Sequence, residues 1–129
     1  MEDVKISIII PVYNKAPFLE RCLDSVVNQT VKPYEVILID DGSTDESRWM
    51  CNEYASLHAG DHWIVVHTDN NGVSAARNLG LTLVRGDYVS FMDADDSYTR
   101  NAIETMQEYA RKGLEMAQFG HYRHKLDSW

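Results

Sequence analysis

The sequence predicts an α/β domain in which a mostly parallel sheet lies between two layers of helix, a three-layer α/β/α sandwich. Three observations carry this. Short β-prone runs at 5–12, 34–39, 63–67 and 88–92 are separated by stretches with helical spacing of apolar residues. The runs are nearly continuous in apolar residues rather than alternating, as in strands buried on both faces of a parallel sheet. The loops between them are short, which implies right-handed crossovers.

Taken in order, the first strand is Lys5 to Val12, and Pro11 predicts its end because it has no N–H for a ladder. Tyr13-Asn14 then opens a loop and Pro17 starts a helix, in which Phe18, Leu19, Cys22, Leu23, Val26 and Val27 recur at helical spacing to about Asn28. Tyr34 to Ile39 is the second strand. Ser43, with Glu46 three residues on, has the form of a capping box for a helix through Met50, Tyr54 and Leu57 that stops near Gly60. Trp63 to His67 is the third strand, and Asn70-Asn71-Gly72 a turn. Ser74 is placed to cap a helix whose Ala75, Ala76, Leu79 and Leu83 face the sheet. Gly86-Asp87 breaks it, and Tyr88 to Met92 forms the fourth strand. Thr99 is placed to cap a fourth helix through Ile103, Met106 and Ala110, ended by Gly113, and Glu115 to Tyr122 resembles a fifth strand.

The chain of 129 residues is 44% hydrophobic, enough for one domain with a core spanning 1–129. Its formal net charge of -8 argues against nucleic acid or an anionic membrane as partner, since both need a basic surface. Cys22 and Cys51 fall within helical patterns and read as buried thiols, with no disulfide framework. No run approaches the ~20 apolar residues of a membrane-spanning helix. A cytoplasmic location is the expectation.

The chemistry concentrates at strand ends. The fourth strand runs into Asp93-Ala94-Asp95-Asp96, three carboxylates within four residues, and the second into Asp40-Asp41. In open α/β sheets ligands bind outside the carboxyl ends of the strands. Carboxylates packed there repel one another unless a cation offsets them, and two Asp separated by one residue can share a Mg²⁺ or Mn²⁺ that keeps positions open for phosphate oxygens. A calcium-hand loop does not fit, because its required glycine is replaced by Tyr98. Arg77, one turn into the third helix, is placed either to neutralise a diphosphate or to hold the carboxylates. The histidines at 58, 62, 67, 121 and 124 are scattered and carry no site. Pro11-Val12-Tyr13-Asn14 stands where a dinucleotide fold would have its glycines, and neither a phosphate loop nor a nucleophile elbow is present.

Four stretches together resemble the N-terminal half of a family 2 glycosyltransferase of the GT-A fold. They are Ile8-Ile-Ile-Pro-Val-Tyr-Asn14, Val36-Ile-Leu-Ile-Asp-Asp-Gly-Ser-Thr-Asp45, Gly72-Val-Ser-Ala-Ala-Arg-Asn78 and Gly86-Asp-Tyr-Val-Ser-Phe-Met-Asp-Ala-Asp-Asp96. The resemblance implies a nucleotide-diphosphate sugar donor, usually a UDP-sugar, and a divalent metal, Mn²⁺ or Mg²⁺, on an Asp-x-Asp motif. It places Pro11, Val12 and Tyr13 at the base, Asp41 as acceptor of a base N–H, and Asp40 in support of the turn. Arg77 falls near the diphosphate. Asp93 falls at the ribose or the metal's water shell, Ala94 is among the residues that bind the nucleotide-sugar, Asp95 with Asp93 holds the metal, and Asp96 is a second candidate. The implied reaction is inverting transfer to an acceptor hydroxyl of a carbohydrate or lipid-linked acceptor. Full catalytic domains of this kind run to roughly twice this length, so the catalytic base is expected beyond Trp129, with donor binding as this chain's share. In the full-length protein a peripheral position at the inner membrane face is compatible with this reading, and oligomeric state is open. A non-catalytic nucleotide-binding module, a nucleotidyltransferase lacking its usual Gly-rich start, and an acidic docking surface are the competing readings.

Overall fold

The structure is a computed structural model and describes residues 4–113. Four parallel strands, β1 (Ile6–Val12), β2 (Glu35–Asp41), β3 (Trp63–Thr68) and β4 (Tyr88–Phe91), form one sheet in the order β3-β2-β1-β4. The helices are α1 (Ala16–Val27), α2 (Ser47–Leu57), α3 (Val73–Leu83) and α4 (Ala102–Arg111), with a short 3-10 turn at Ala59–Asp61. Glu115 to Tyr122, His121 and His124 lie outside the described residues.

The predicted layers are present. Every residue of β1 and β2 is buried, which is why both read as continuous apolar runs. Alternate side chains serve opposite faces. Ile6, Ile8, Ile10, Val12, Val36 and Leu38 pack with α1, with Cys51 of α2 and with Ile103 and Met106 of α4. Ile9, Ile37 and Ile39 pack against Ala76, Leu79 and Leu83 of α3. Gly80 lets α3 come close, since a Cβ there would stand 2.6 Å from Ile9 Cγ2. Ala75, expected on that face, is exposed. No helix of the described residues is long and apolar enough to cross a membrane.

Three details differ from the sequence reading. First, β1 does not stop at Pro11 but continues to Val12, with Pro11 beside Ile39 of β2. The Ile9 carbonyl accepts the Met92 N–H at 3.0 Å, so odd-numbered residues of β1 turn their backbone polar groups toward β4. β4 pairs with β1 only from Ile6 to Ile9. At Pro11 there is no β4 carbonyl left to want a donor. β2 also runs two residues further than expected, through Asp40 and Asp41, which pair with His67 and Thr68.

Second, β4 is an edge strand among the described residues, half-buried rather than central, with Phe91 39% exposed. Its apolar residues are drawn to two faces: Tyr88 packs on the α1 side and Val89 on the α3 side. Composition reported contact with both helical layers, not position in the sheet. Third, none of Ser43, Ser74 and Thr99 caps a helix. α2, α3 and α4 follow Glu46, Gly72 and Asn101, and no side-chain cap bond forms at any of them. Ser43 is drawn into a tertiary contact instead, its Oγ accepting the Asn14 N–H at 3.0 Å.

At the amino ends of the strands, buried Glu35 joins β2 to β1 and to the segment entering β4. Its Oε2 accepts the Ser7 hydroxyl at 2.7 Å and the Arg85 N–H at 2.6 Å. Glu35→Ala strands both donors, so it should lower unfolding free energy by about 2–3 kcal/mol, read as a drop in the denaturant midpoint. A loss under about 0.5 kcal/mol would deny the latch this role. Cys22 and Cys51 are buried free thiols, as expected. Burial, with Asp40 and Asp45 adding to it, pushes the Cys51 thiol up to about 12, and burial pushes Cys22 up as well. Both should stay protonated at pH 8, where a chromogenic disulfide reagent should leave the folded chain unlabelled and label it once denatured.

Candidate functional site

Since all four strands run in one direction, their carboxyl ends share one edge of the sheet. The acidic segment leaves β4 at this edge in a tight turn, closed by the Asp96 N–H donating to the Asp93 carbonyl at 3.0 Å. The turn folds the carboxylates together: Asp93, Asp95 and Asp96 each place an oxygen within 4.8 Å of the others. Asp95 and Asp96 are buried, at 4% and 1% exposure, and Asp93 is half-buried. An all-oxygen donor set of this kind suits a hard divalent cation such as Mg²⁺ or Mn²⁺. The residues therefore fit the metal that the sequence suggested. Ala94, between them, buries its methyl in the larger core.

Cations from two other elements surround the turn. Arg77 on α3 donates through Nη2 to Asp93 Oδ1 at 3.2 Å, and its guanidinium lies over the Phe91 ring, 5.9 Å from the centroid. Of the two positions open to Arg77 in the sequence, it adopts the one that holds a carboxylate. Lys15 Nζ stands 3.9 Å from Asp95 Oδ2, and Arg21 Nη2 donates to the Asp95 carbonyl at 3.2 Å. Sequence reasoning missed both. They lie more than seventy residues from Asp95 along the chain, so no local spacing marks them.

The end of β2 carries the second acidic pair. Asp41 is buried and grips the β3–α3 loop: Oδ1 accepts the Thr68 hydroxyl at 3.2 Å and the Asn71 N–H at 2.9 Å, and Oδ2 accepts the Gly72 N–H at 2.9 Å. Gly42 follows with φ +77, and a Cβ on it would stand 2.7 Å from the Asn70 nitrogen. Only glycine fits both the angle and the approach. Asp40 Oδ1 accepts the Ser43 N–H at 3.1 Å, bracing the same turn. Its other oxygen meets His67 Nδ1 at 2.6 Å, and His67 Nε2 meets Asn52 Oδ1 at 2.7 Å. His67, set aside in the sequence, is thus the buried Asp40's partner. Its signal was available in retrospect, since a histidine ending one strand lies beside an aspartate ending its neighbour.

Pro11 and Val12 are buried at the end of β1, and Tyr13 is half-buried. Asp45 helps to fix the neighbouring loop. Partial burial works against its charge, but hydrogen bonds from Ser47 and Ala16 outweigh that and hold the carboxyl below its ordinary value. The sheet edge therefore brings together Tyr13, Asp40, Asp41, Arg77 and the acidic turn from four separate strand–helix units. A groove of about 800 Å³ lies between α1 and Ser97–Arg100 and reaches the acidic turn through Arg21, but none of the predicted site residues lines it.

The family model of glycosyl transferase family 2 matches residues 7–129 of the chain. Glycosyltransferase GlyA of Streptococcus pneumoniae is 44% identical over 105 residues, covering 81% of this chain and 15% of that protein. The uncharacterized glycosyltransferase EpsJ of Bacillus subtilis is 37% identical over 123 residues, covering 95% of this chain and 35% of that protein. The chain thus spans about a third or less of the length of these relatives. Among solved structures, S. aureus TarS 1-349 in complex with UDP superimposes with a TM-score of 0.73 at 25% identity, covering 84% of this chain and 32% of that one. The mannosyltransferase PcManGT of Pyrobaculum calidifontis, in complex with GDP-Man and Mn²⁺, gives a TM-score of 0.74 at 27% identity, covering 82% of this chain and 32% of that one. With the parallel sheet, the strand-end carboxylates and these matches in agreement, the chain belongs to glycosyl transferase family 2 and has the GT-A fold.

Proposed function

We propose that this chain binds the nucleotide-diphosphate sugar donor, a UDP-sugar first among candidates, of a glycosyltransferase that inverts configuration as it transfers the sugar to an acceptor hydroxyl. The observation that carries the proposal is the Asp93–Asp96 turn, whose three carboxylates converge at the same sheet edge as Asp41 and Tyr13. The UDP complex of TarS and the GDP-Man and Mn²⁺ complex of PcManGT support the ligand class.

In this reading Asp95 and Asp93 hold Mn²⁺ or Mg²⁺, with Asp96 beside them. A metal bound there supplies positive charge to the diphosphate as it departs. Tyr13, at the end formed by Pro11 and Val12, provides a flat face for the base, and Asp41 accepts a base N–H while Asp40 braces its turn. Arg77, now on Asp93, adds charge next to the diphosphate. Ala94 offers its main chain, since its methyl is in the core. No catalytic base is assigned among these residues; in the proposal it belongs to the acceptor side of a longer protein, as does the choice of carbohydrate or lipid-linked acceptor. In this reading the transferase works on the cytoplasmic side.

Titration calorimetry of the chain with UDP and with GDP, with and without Mn²⁺, tests the assignment. One nucleotide should bind with Mn²⁺ and weaken on chelation of the metal. Asp95→Ala should cost about tenfold or more of the metal-dependent affinity. Metal-dependent binding left intact in that variant would remove Asp95 from the site. Incubated with a UDP-sugar and a simple acceptor, the chain alone should give no more product than a blank. Robust turnover would sink the division between donor and acceptor parts.

A further inference from the structure

The loops that follow β1 and β2 are fastened to each other around Asn14. Its Oδ1 accepts the Thr44 N–H at 2.8 Å and the Asp45 N–H at 3.2 Å, with the Thr44 hydroxyl at 3.4 Å. Its own N–H donates to Ser43 Oγ at 3.0 Å. The next two amides continue the seam, Lys15 N–H to Ser47 Oγ at 2.9 Å and Ala16 N–H to Asp45 Oδ2 at 3.1 Å. Six contacts thus join residues 14–16 to residues 43–47. Asn14 makes four of the six, and makes them from φ 50, a left-handed conformation that costs energy in any residue but glycine and that asparagine tolerates better than most. Such a conformation persists where the surroundings over-determine it, and functional sites are where such residues gather.

What the clamp holds is chemically specific. Tyr13 comes immediately before Asn14, and Lys15, whose Nζ lies 3.9 Å from Asp95 Oδ2, immediately after. On the other side the clamped Ser43 donates its N–H to Asp40, next to Asp41. Asn14, through its side-chain oxygen and its own N–H, therefore makes most of the contacts that join the end of β1, and the cation that faces the acidic turn, to the turn after β2.

We propose that Asn14 is a positioning residue of the donor site. It contacts no reacting group; it fixes Tyr13 and Lys15 relative to the Asp40–Ser43 turn. The inference rests on the donor-binding reading above and adds to it a residue that ligand contacts alone would not reveal. The amide oxygen is the working part, and the left-handed backbone is the conformation that delivers it.

Asn14→Gly separates these two contributions, because glycine adopts the backbone angle without strain but has no acceptor. In calorimetry with UDP and GDP in the presence of Mn²⁺, Asn14→Gly should bind about tenfold more weakly than the wild type while its thermal midpoint stays close. Amide exchange at Thr44 and Asp45 should quicken. Ser43→Ala, which removes the acceptor of the Asn14 N–H but leaves the Asn14 side chain in place, should lose about threefold and serves if the glycine variant fails to fold. Wild-type affinity in a folded Asn14→Gly, or in Ser43→Ala where the glycine variant does not fold, would overturn the inference. If the wild type itself binds neither nucleotide, the donor reading fails. Exchange then decides the clamp alone, and unchanged protection at Thr44 and Asp45 in Asn14→Gly would overturn it too.

Discussion

Burial of β1 and β2 on both faces is the constraint from which the remaining structure follows. Side chains from Ile6 to Val12 and from Glu35 to Asp41 are shut away from water. Only helices on both sides can do that, and only crossovers that return each chain segment to the same end of the sheet can place the helices there. Parallel strands end together, so their terminal polar residues are brought to one edge. The site is a consequence of how the core is covered.

That edge gathers far more acid than the fold needs, and the chain answers most of it with its own donors. Asp41 is met by two loop amides and a threonine, Asp40 by an amide and His67, Asp93 by Arg77, and Asp95 has Lys15 near it. Buried carboxylates are costly unless paired, and most of these pairs come from elements that are distant in sequence. The same pairs hold the loops at fixed spacing. Preorganisation of this kind lets a ligand bind without first ordering the loops it touches.

Much of the fold was legible. The four strands and four helices of the described residues fall where periodicity put them, because apolar spacing is a direct record of which faces are covered. The errors share a cause. Pro11 inside a strand, the edge position of β4, and Ser43, which caps nothing, all depend on what lies across from a residue, not beside it. A hydroxyl near the start of a helix caps it only if no tertiary donor claims it first. Ser43 shows the alternative.

The sequence by itself determined the elements, the parallel α/β architecture and the carboxylates at strand ends, since these follow from local composition and period. It also carried the family, through four short motifs that match in order. Only the tertiary structure decided that Asp93, Asp95 and Asp96 converge, that Arg77 holds Asp93, and that Lys15, His67 and Asn14 belong to the same edge. The reason is physical. A hydrogen bond or ion pair acts over a few ångströms of space, and most of these contacts join residues separated by sixteen to eighty positions of chain.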